Sequence, residues 1–293
     1  MKKPAPNSVQ AWIEKASELL AGHDLYYGHG TDNPGSEAEW LVVTVLTQQG
    51  IDNISPDTEV SVVARQIIEN RLDRRVEEKI PMAYLLNEAW FAGHCFYVDE
   101  RVLVPRSPIA ELIGHGFEPI LSKPPLNILD LCCGSGCIGI ACALAFPGSS
   151  VVMTDISEQA LAVADNNIKR FELEGRVSAL ASDLFQSVSG EFDLIVSNPP
   201  YVSGTEYQEL PSEYHHEPAS GLVCDSEGLD LPLQILAQAS EYLNQNGLLI
   251  LETGYSWQAL EAATPKIEKL WLDFDFGGEG VCAVKANALS NQA

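Results

Sequence analysis

Basic side chains are scarce in this sequence. Lys and Arg together number 17 against 41 Asp and Glu, a formal net charge of −24 over 293 residues. A surface of that sign repels phosphate backbones, so duplex nucleic acid is not expected as a direct substrate. It favours encounter with a basic partner, although the same charge also serves plain solubility. Long apolar runs are missing too. No segment approaches the roughly 18 apolar residues of a membrane span, so no membrane partner is expected. The opening segment, MKKPAPNSVQAWIEK, has two lysines but no uninterrupted apolar stretch behind them. No signal peptide is expected, and the location reads as cytoplasmic. Seven cysteines are present, four of them crowded at Cys132, Cys133, Cys137 and Cys142, yet none forms a CxxC pair and no clustered histidines complement them. No metal site is expected; reduced thiols packed around a tight turn fit better.

What is present suits an ordinary globular enzyme of two domains: 46% hydrophobic residues and 20% charged ones supply a full core. The first third reads as helical. Val9, Trp12, Ile13, Ala16, Leu19 and Leu20 follow Asn7–Ser8 at helical spacing. Ser36 and Glu39 form a capping-box pattern ahead of a second helix that Gly50 can stop. A third helix is expected over Ser61–Ile80, with Val63, Ile67, Leu72 and Val76 on its buried side and Pro81 at its end. CFYV (95–98) and VLV (102–104) then flank Asp99–Glu100–Arg101 like the arms of a β-hairpin.

From about residue 125 strands and helices alternate, which implies a parallel sheet covered on both faces. Strands are expected at 127–131, 151–155, 177–182, 192–197, 248–253, 269–275 and 281–286, with helices at 137–146, 157–171, 229–244 and 256–264. The short GGEG connection (277–280) lets the last two strands pair antiparallel. The expected organisation is a helical domain over 1–90 that reads the substrate, a hairpin linker over 91–108, and a seven-stranded Rossmann-like α/β domain over 109–293.

The sharpest signal after a strand is DLCCGSGCIG (130–139). Gly134 and Gly136 let the backbone approach a ligand where a Cβ would clash, and ligands of open α/β sheets sit at such strand ends. Gly134, Gly136 and Gly139 also satisfy GxGxxG, which keeps a dinucleotide oxidoreductase open. Asp130, Asp155 and Asp183 end three successive strands. Each is an ordinary cap or turn residue on its own. Together they suit a ligand with an ammonium group, ribose hydroxyls and an adenine amine, as S-adenosylmethionine has. Directly after FDLIVS stands Asn198–Pro199–Pro200–Tyr201. Two prolines stiffen the backbone and remove donors, so the Asn198 side-chain oxygen and the Pro199 carbonyl can accept both hydrogens of an NH2 group. Tyr201 offers a ring face to a planar target.

DLCCGSG, Asp155, Asp183 and NPPY together resemble the class I methyltransferases that act on planar amino groups. The HemK-like protein-(glutamine-N5) methyltransferases resemble this chain over nearly its whole length, through VLVPR (102–106), NPPYV (198–202), HEP (216–218) and EGLD (227–230). The release-factor branch of that group carries PRPDTE or PRPETE after the hairpin; here PRSPIAEL (105–112) stands instead. Together with YYGHGTDNP (26–34), this resembles the branch that methylates a glutamine of the large-subunit (50S) ribosomal protein L-three. The resemblance implies S-adenosylmethionine as cofactor. Loop residues Cys132, Cys133, Gly134, Ser135 and Gly136 would hold its methionine part, with Asp130 at the loop's start. Asp155 would hold the ribose, and Asp183 with Leu184 the adenine. Asn198, which also borders the cofactor, would hold the substrate amide with Pro199, Pro200 and Tyr201. Cys132 and Cys133 depart from the group's usual small residues. Three other functions remain: the same chemistry on a release factor, adenine-N6 methylation of nucleic acid, and a non-catalytic role in ribosome assembly. Arg106 reads as a neutraliser of an acidic strand end or as a bridge between domains, Glu217 as a cap or closure of its loop, and His215 and His216 as structural.

Overall fold

A computed structural model describes residues 5–289. The described residues divide into two compact units, one of residues 5–89 with 211–216, the other of residues 90–210 with 217–289.

In the helical unit, α1 (Val9–Ala21), α2 (Pro34–Gln48), α3 (Val62–Glu77) and the short α4 (Met82–Leu86) enclose one core. Ser8 caps α1 and Ser61 caps α3, each accepting a backbone N–H in the first turn. Helix α2 starts earlier than its sequence suggests. Asn33 is the cap, accepting from the Ser36 N–H at 2.9 Å, and Pro34 takes the first helical position, where a missing N–H costs nothing. The core includes Trp12, Leu20, Leu41, Leu46, Ile68 and Leu72; full burial of each aliphatic side chain contributes about 1.5–3 kcal/mol.

The buried face of α3 is rotated slightly from the expected one: Leu72 is in the core with Ile67 and Val76 packed at its edge, but Val63 is not. Val63 is 61% exposed, and the inward positions are Ala64, Ile68, Leu72 and Arg75. The apolar pattern misled because an arginine takes part in that face. Arg75 donates from Nε to Glu37 at 2.8 Å, from Nη1 to Glu213 at 3.1 Å and from Nη2 to the Tyr26 carbonyl at 2.8 Å. The Tyr26 N–H donates to Glu213 at 2.9 Å. One cation therefore serves two buried carboxylates, and they settle unequally. Burial raises Glu37 above the usual carboxylate range despite Arg75. Burial acts on Glu213 too, but the Tyr26 N–H and Arg75 overcome it and hold that carboxyl low. This cluster is what places PSEYHH (211–216) in the helical unit, a segment the sequence reading left with the sheet. His216 also contacts the Glu78 carbonyl at 2.7 Å, a structural role.

The hairpin lies upstream of the expected one, with β1 (Ala89–Phe91) pairing β2 (His94–Phe96). Ala92 and Gly93, at φ 48° and 80°, make the double left-handed turn that suits a two-residue hairpin loop. Residues 99–101 do form a turn, but its arms cannot ladder. The Val102 N–H is spent on the Asp99 carbonyl, the Val104 N–H on Glu217, and Pro105 has none.

The sheet unit holds α5 (Ile109–Gly114), β3 (Asn127–Leu131), α6 (Cys137–Ala145), β4 (Ser150–Asp155), α7 (Glu158–Arg170), β5 (Val177–Ala181), β6 (Phe192–Ser197), α8 (Gly204–Glu209), α9 (Asp225–Gly228), α10 (Asp230–Gln238), β7 (Leu243–Glu252), α11 (Trp257–Ala263), β8 (Leu270–Trp271), β9 (Val281–Lys285) and α12 (Ala286–Leu289). Among the described residues the sheet has seven strands in the order β5-β4-β3-β6-β7-β9-β8, parallel up to β7 and antiparallel beyond it. Alternate β3 residues enter opposite cores, Ile128 on one face and Leu129 and Leu131 on the other. Strand β8 is shorter than KLWLDFD promised. After Leu272, the N–H groups of Asp275 and Phe276 turn to the Glu111 carboxylate instead of a neighbouring strand.

Because Arg75 is the shared donor of its cluster, Arg75→Leu leaves two buried carboxylates uncompensated. Chemical denaturation is expected to show a loss of about 3–5 kcal/mol; a loss below about 1 kcal/mol, the range of an exposed pair, would show that the cluster does not hold the unit together.

Candidate functional site

The chain runs outward from β3 to β4 and β5, then returns to the other side of β3 as β6. The carboxyl ends of β3 and β6 therefore diverge, and a crevice opens there for a ligand. A cavity of about 220 Å³ fills it.

Its floor is the turn between β3 and α6. Cys132 at φ 58°, Gly134 at 53° and Gly136 at 77° reverse the backbone sharply. The glycines of this turn serve different needs. Gly134 lines the cavity with a left-handed backbone, and a Cβ there would meet no protein atom and would stand in the open space of the site. A Cβ at Gly136 or Gly139 would press on Met153, at 2.9 and 2.7 Å, so these two let α6 pack on β4. Burial raises the thiols of this region, Cys137 up to about 12, so they stay protonated and inert at neutral pH.

The three strand-end aspartates separate into two roles. Asp155 and Asp183 line the cavity. Asp155 accepts from the Gly134 N–H and the Ser157 N–H, both at 2.9 Å, which fixes its carboxylate. Asp183 accepts from the Gln186 amide at 2.9 Å. Asp130 lies behind the turn, fully buried and outside the cavity wall. One of its oxygens accepts from the Gly139 N–H at 2.8 Å; the other has no partner. Burial pushes this carboxyl up to about 8, the Gly139 bond opposing and the Asp155 charge adding.

Cys132, Cys133, Gly134, Ser135, Leu184, Asn198 and Pro200 also line the cavity, whereas Gly136, Pro199 and Tyr201 do not. Asn198 is half-buried there, and its side-chain amide makes no hydrogen bond to another described residue. Tyr201 turns away. Its hydroxyl donates to Glu252 at 3.1 Å, and the Ser256 hydroxyl donates to its carbonyl at 3.2 Å. Gly228 and Gly254 are glycine because of it: a Cβ would stand 2.1 Å from the Tyr201 carbonyl oxygen in one case and 2.5 Å from its ring in the other. The first explains the EGLD segment.

The opposite wall is Val102–Ser107. Arg106 grips Glu217 through two bonds of 2.6 and 2.7 Å, and Glu217 also accepts the Val104 N–H at 2.9 Å. A bidentate pair of this kind is both strong and directional. Through this pair Arg106 fixes the wall within the sheet unit, and Glu217 closes its own loop. Sequence reading missed Ile156, which lines the cavity yet is 70% exposed. The available signal was an apolar residue just past a strand-end aspartate, where no core awaits it. It also missed Glu252, which has no local motif at all.

The cavity's chemistry fits S-adenosylmethionine. Fixed carboxylates at two strand ends can accept ribose hydroxyls and an adenine amine, Ile156 offers an apolar wall to a ring, and Asn198 keeps open hydrogen-bonding capacity beside them.

The known proteins agree. The Methyltransferase small domain family matches residues 117–213. The ribosomal protein uL3 glutamine methyltransferase of Francisella tularensis (strain SCHU S4) is 41% identical over 94% of this chain and 89% of its own length. The protein of the same name from Neisseria meningitidis serogroup A is 42% identical over 87% and 85%. Among solved structures, the catalytic domain of hMettl16 in complex with MAT2A 3'UTR hairpin 6 superposes with a TM-score of 0.52 at 12% identity, covering 77% of this chain and 82% of that one. That likeness shows the fold, the Rossmann-like sheet of class I methyltransferases. At this identity and coverage to its curated relatives, the chain belongs to the ribosomal protein uL3 glutamine methyltransferase family.

Proposed function

We propose that this enzyme transfers a methyl group from S-adenosylmethionine to the N5 side-chain nitrogen of a glutamine in ribosomal protein uL3, in the cytoplasm. The observation that carries the reading is the placement of Asn198 on the cavity that Asp155 and Asp183 also line. Acceptor groups for an amide and for a nucleoside thus share one crevice. The names of the relatives supply the target.

When bound, S-adenosylmethionine supplies an electrophilic methyl carbon on a sulfonium. The protein's task is to make a poor nucleophile attack it. An amide nitrogen shares its lone pair with its carbonyl. The Asn198 side-chain oxygen and the Pro199 carbonyl accept the two N–H hydrogens and favour the pyramidal nitrogen of the transition state over the planar ground state. Pro199 is buried between Asn198 and Pro200, which both line the cavity, so the loop backbone that carries its carbonyl is part of the wall. Asp155, already fixed by two backbone N–H groups, would accept the ribose hydroxyls of the cofactor and so contribute to its orientation. The formal charge of −24 speeds encounter with a basic ribosomal protein.

Asn198→Ala removes a transition-state acceptor and keeps Asp155 and Asp183, the acceptors proposed for the nucleoside. Its kcat with uL3 is expected to fall by about 100- to 1000-fold, the scale seen when one preorganised hydrogen bond to a transition state is removed, while calorimetry shows cofactor binding close to that of the wild type. A variant with full kcat would sink the assignment of the amide site. Asp155→Ala should do the reverse and weaken cofactor binding by roughly 10- to 100-fold, the worth of hydrogen bonds to a charged acceptor; unchanged cofactor affinity would remove Asp155 from the cofactor site.

A further inference from the structure

Glu252 ends β7, the strand beside β6, and it is only 4% exposed. Both carboxylate oxygens are engaged by hydroxyls. One accepts from Tyr201 at 3.1 Å, the other from Ser107 at 2.5 Å. The Ser107 hydroxyl oxygen in turn accepts the Ile109 N–H at 3.1 Å. The charged group that faces Glu252 is Arg106, whose guanidinium is committed to Glu217. Burial therefore pushes Glu252 up to about 7, against the Ser107 and Tyr201 hydrogen bonds and the Arg106 charge. A buried acid without an ion-pair partner of its own is costly, and the two hydroxyl donors offset only part of that cost. The chain keeps the acid at the point where two walls of the cavity meet. Ser107 belongs to the Val102–Ser107 wall, and Tyr201 follows directly on Asn198–Pro200.

Tyr201 is held at three points. Glu252 takes its hydroxyl, the Gly254 backbone lies against its ring, and Ser256 and Gly228 close on its carbonyl. The last two fix the main chain where it leaves the loop. The hydroxyl contact fixes the far end of a rigid lever whose near end is the backbone three residues beyond Asn198. We infer that Glu252 is a positioning residue for methyl transfer: by holding the Tyr201 hydroxyl and the Ser107 hydroxyl together, it sets the angle at which the Asn198 oxygen and the Pro199 carbonyl meet the substrate amide. The inference rests on the reading of that loop as the amide site. It makes no use of Glu252 as a base, since neither Glu252 nor Tyr201 lines the cavity.

The full-length enzyme tests this, with kcat and KM for uL3 at saturating S-adenosylmethionine, the cofactor Kd by calorimetry, and Tm as the check on folding. Glu252→Ala frees the Tyr201 hydroxyl. Misplacement of the reacting groups by about 1 Å costs on the order of 100-fold, so kcat is expected to drop by that scale while the cofactor Kd holds. Glu252→Gln keeps an acceptor for Tyr201 and gains a donor toward Ser107, so it restores most of the rate. Tyr201→Phe combined with Glu252→Ala loses no more than the worse single change, because both break the same link. Glu252→Leu fills the space and replaces the alanine variant if that one unfolds. Wild-type kcat in a folded Glu252→Ala or Glu252→Leu enzyme, or losses that add in full with Tyr201→Phe, would overturn the inference. If Asn198→Ala is inactive while the Glu252 variants match wild type, only the role of Glu252 falls. If the wild type methylates no glutamine, the reading of the amide site falls and takes this inference with it.

Discussion

The reversal of strand order at β3 is the constraint from which the site follows. Had β6 continued outward beyond β5, the Asn198 loop would lie several strands from the turn after β3, and no single ligand could touch both. Because β6 returns to the other flank of β3, the ends of β3 and β4 and the end of β6 face one cavity. A parallel sheet enforces this directionality. All of its crossovers pass over the faces, so strand ends of one polarity gather on one edge. Everything chemical in the sheet unit is an elaboration of that edge.

The electrostatics of the edge follow from burial. Asp155 is tethered by backbone N–H groups and Asp183 by a side-chain amide, so their carboxylates are oriented before a ligand arrives. Asp130 and Glu252, both behind the cavity wall, are pushed toward neutrality. The division is between acids at the wall, which face the cavity, and acids behind it, which hold backbone and hydroxyl groups in place. Arg106 with Glu217 applies the same logic to the opposite wall, where a bidentate pair fixes an irregular segment that no strand ladder supports.

The sequence was most legible where one periodicity governed. Strands β3 and β6, helix α6 and the antiparallel end of the sheet lie where alternation and glycine turns placed them. So does the gathering of Gly134, Asp155, Asp183 and Asn198, because strand ends are fixed once strands are. Legibility failed where a polar residue took an apolar part or a donor was used elsewhere. Arg75 sits in the core face of α3, so the apolar stripe found Leu72 and the flanking Ile67 and Val76 but misplaced Val63. Val102 and Val104 look like strand residues, but their N–H groups serve a turn and a carboxylate. Gly136 and Gly139 read as ligand glycines and prove to be packing glycines against Met153. Glu252 was invisible because its role depends on which strand neighbours β6, and that is a property of the whole sheet.

If one cavity brings a methyl donor to a glutamine amide of uL3, the enzyme must label that protein and leave other acceptors unlabelled. Incubating the enzyme with methyl-labelled S-adenosylmethionine and unmodified uL3, with a release factor and total RNA as parallel acceptors, tests it most directly. Fragmentation mass spectrometry then locates the label. The account predicts label on the side-chain nitrogen of one uL3 glutamine and none on the other two acceptors. Label on RNA or on a release factor in place of uL3 would contradict it.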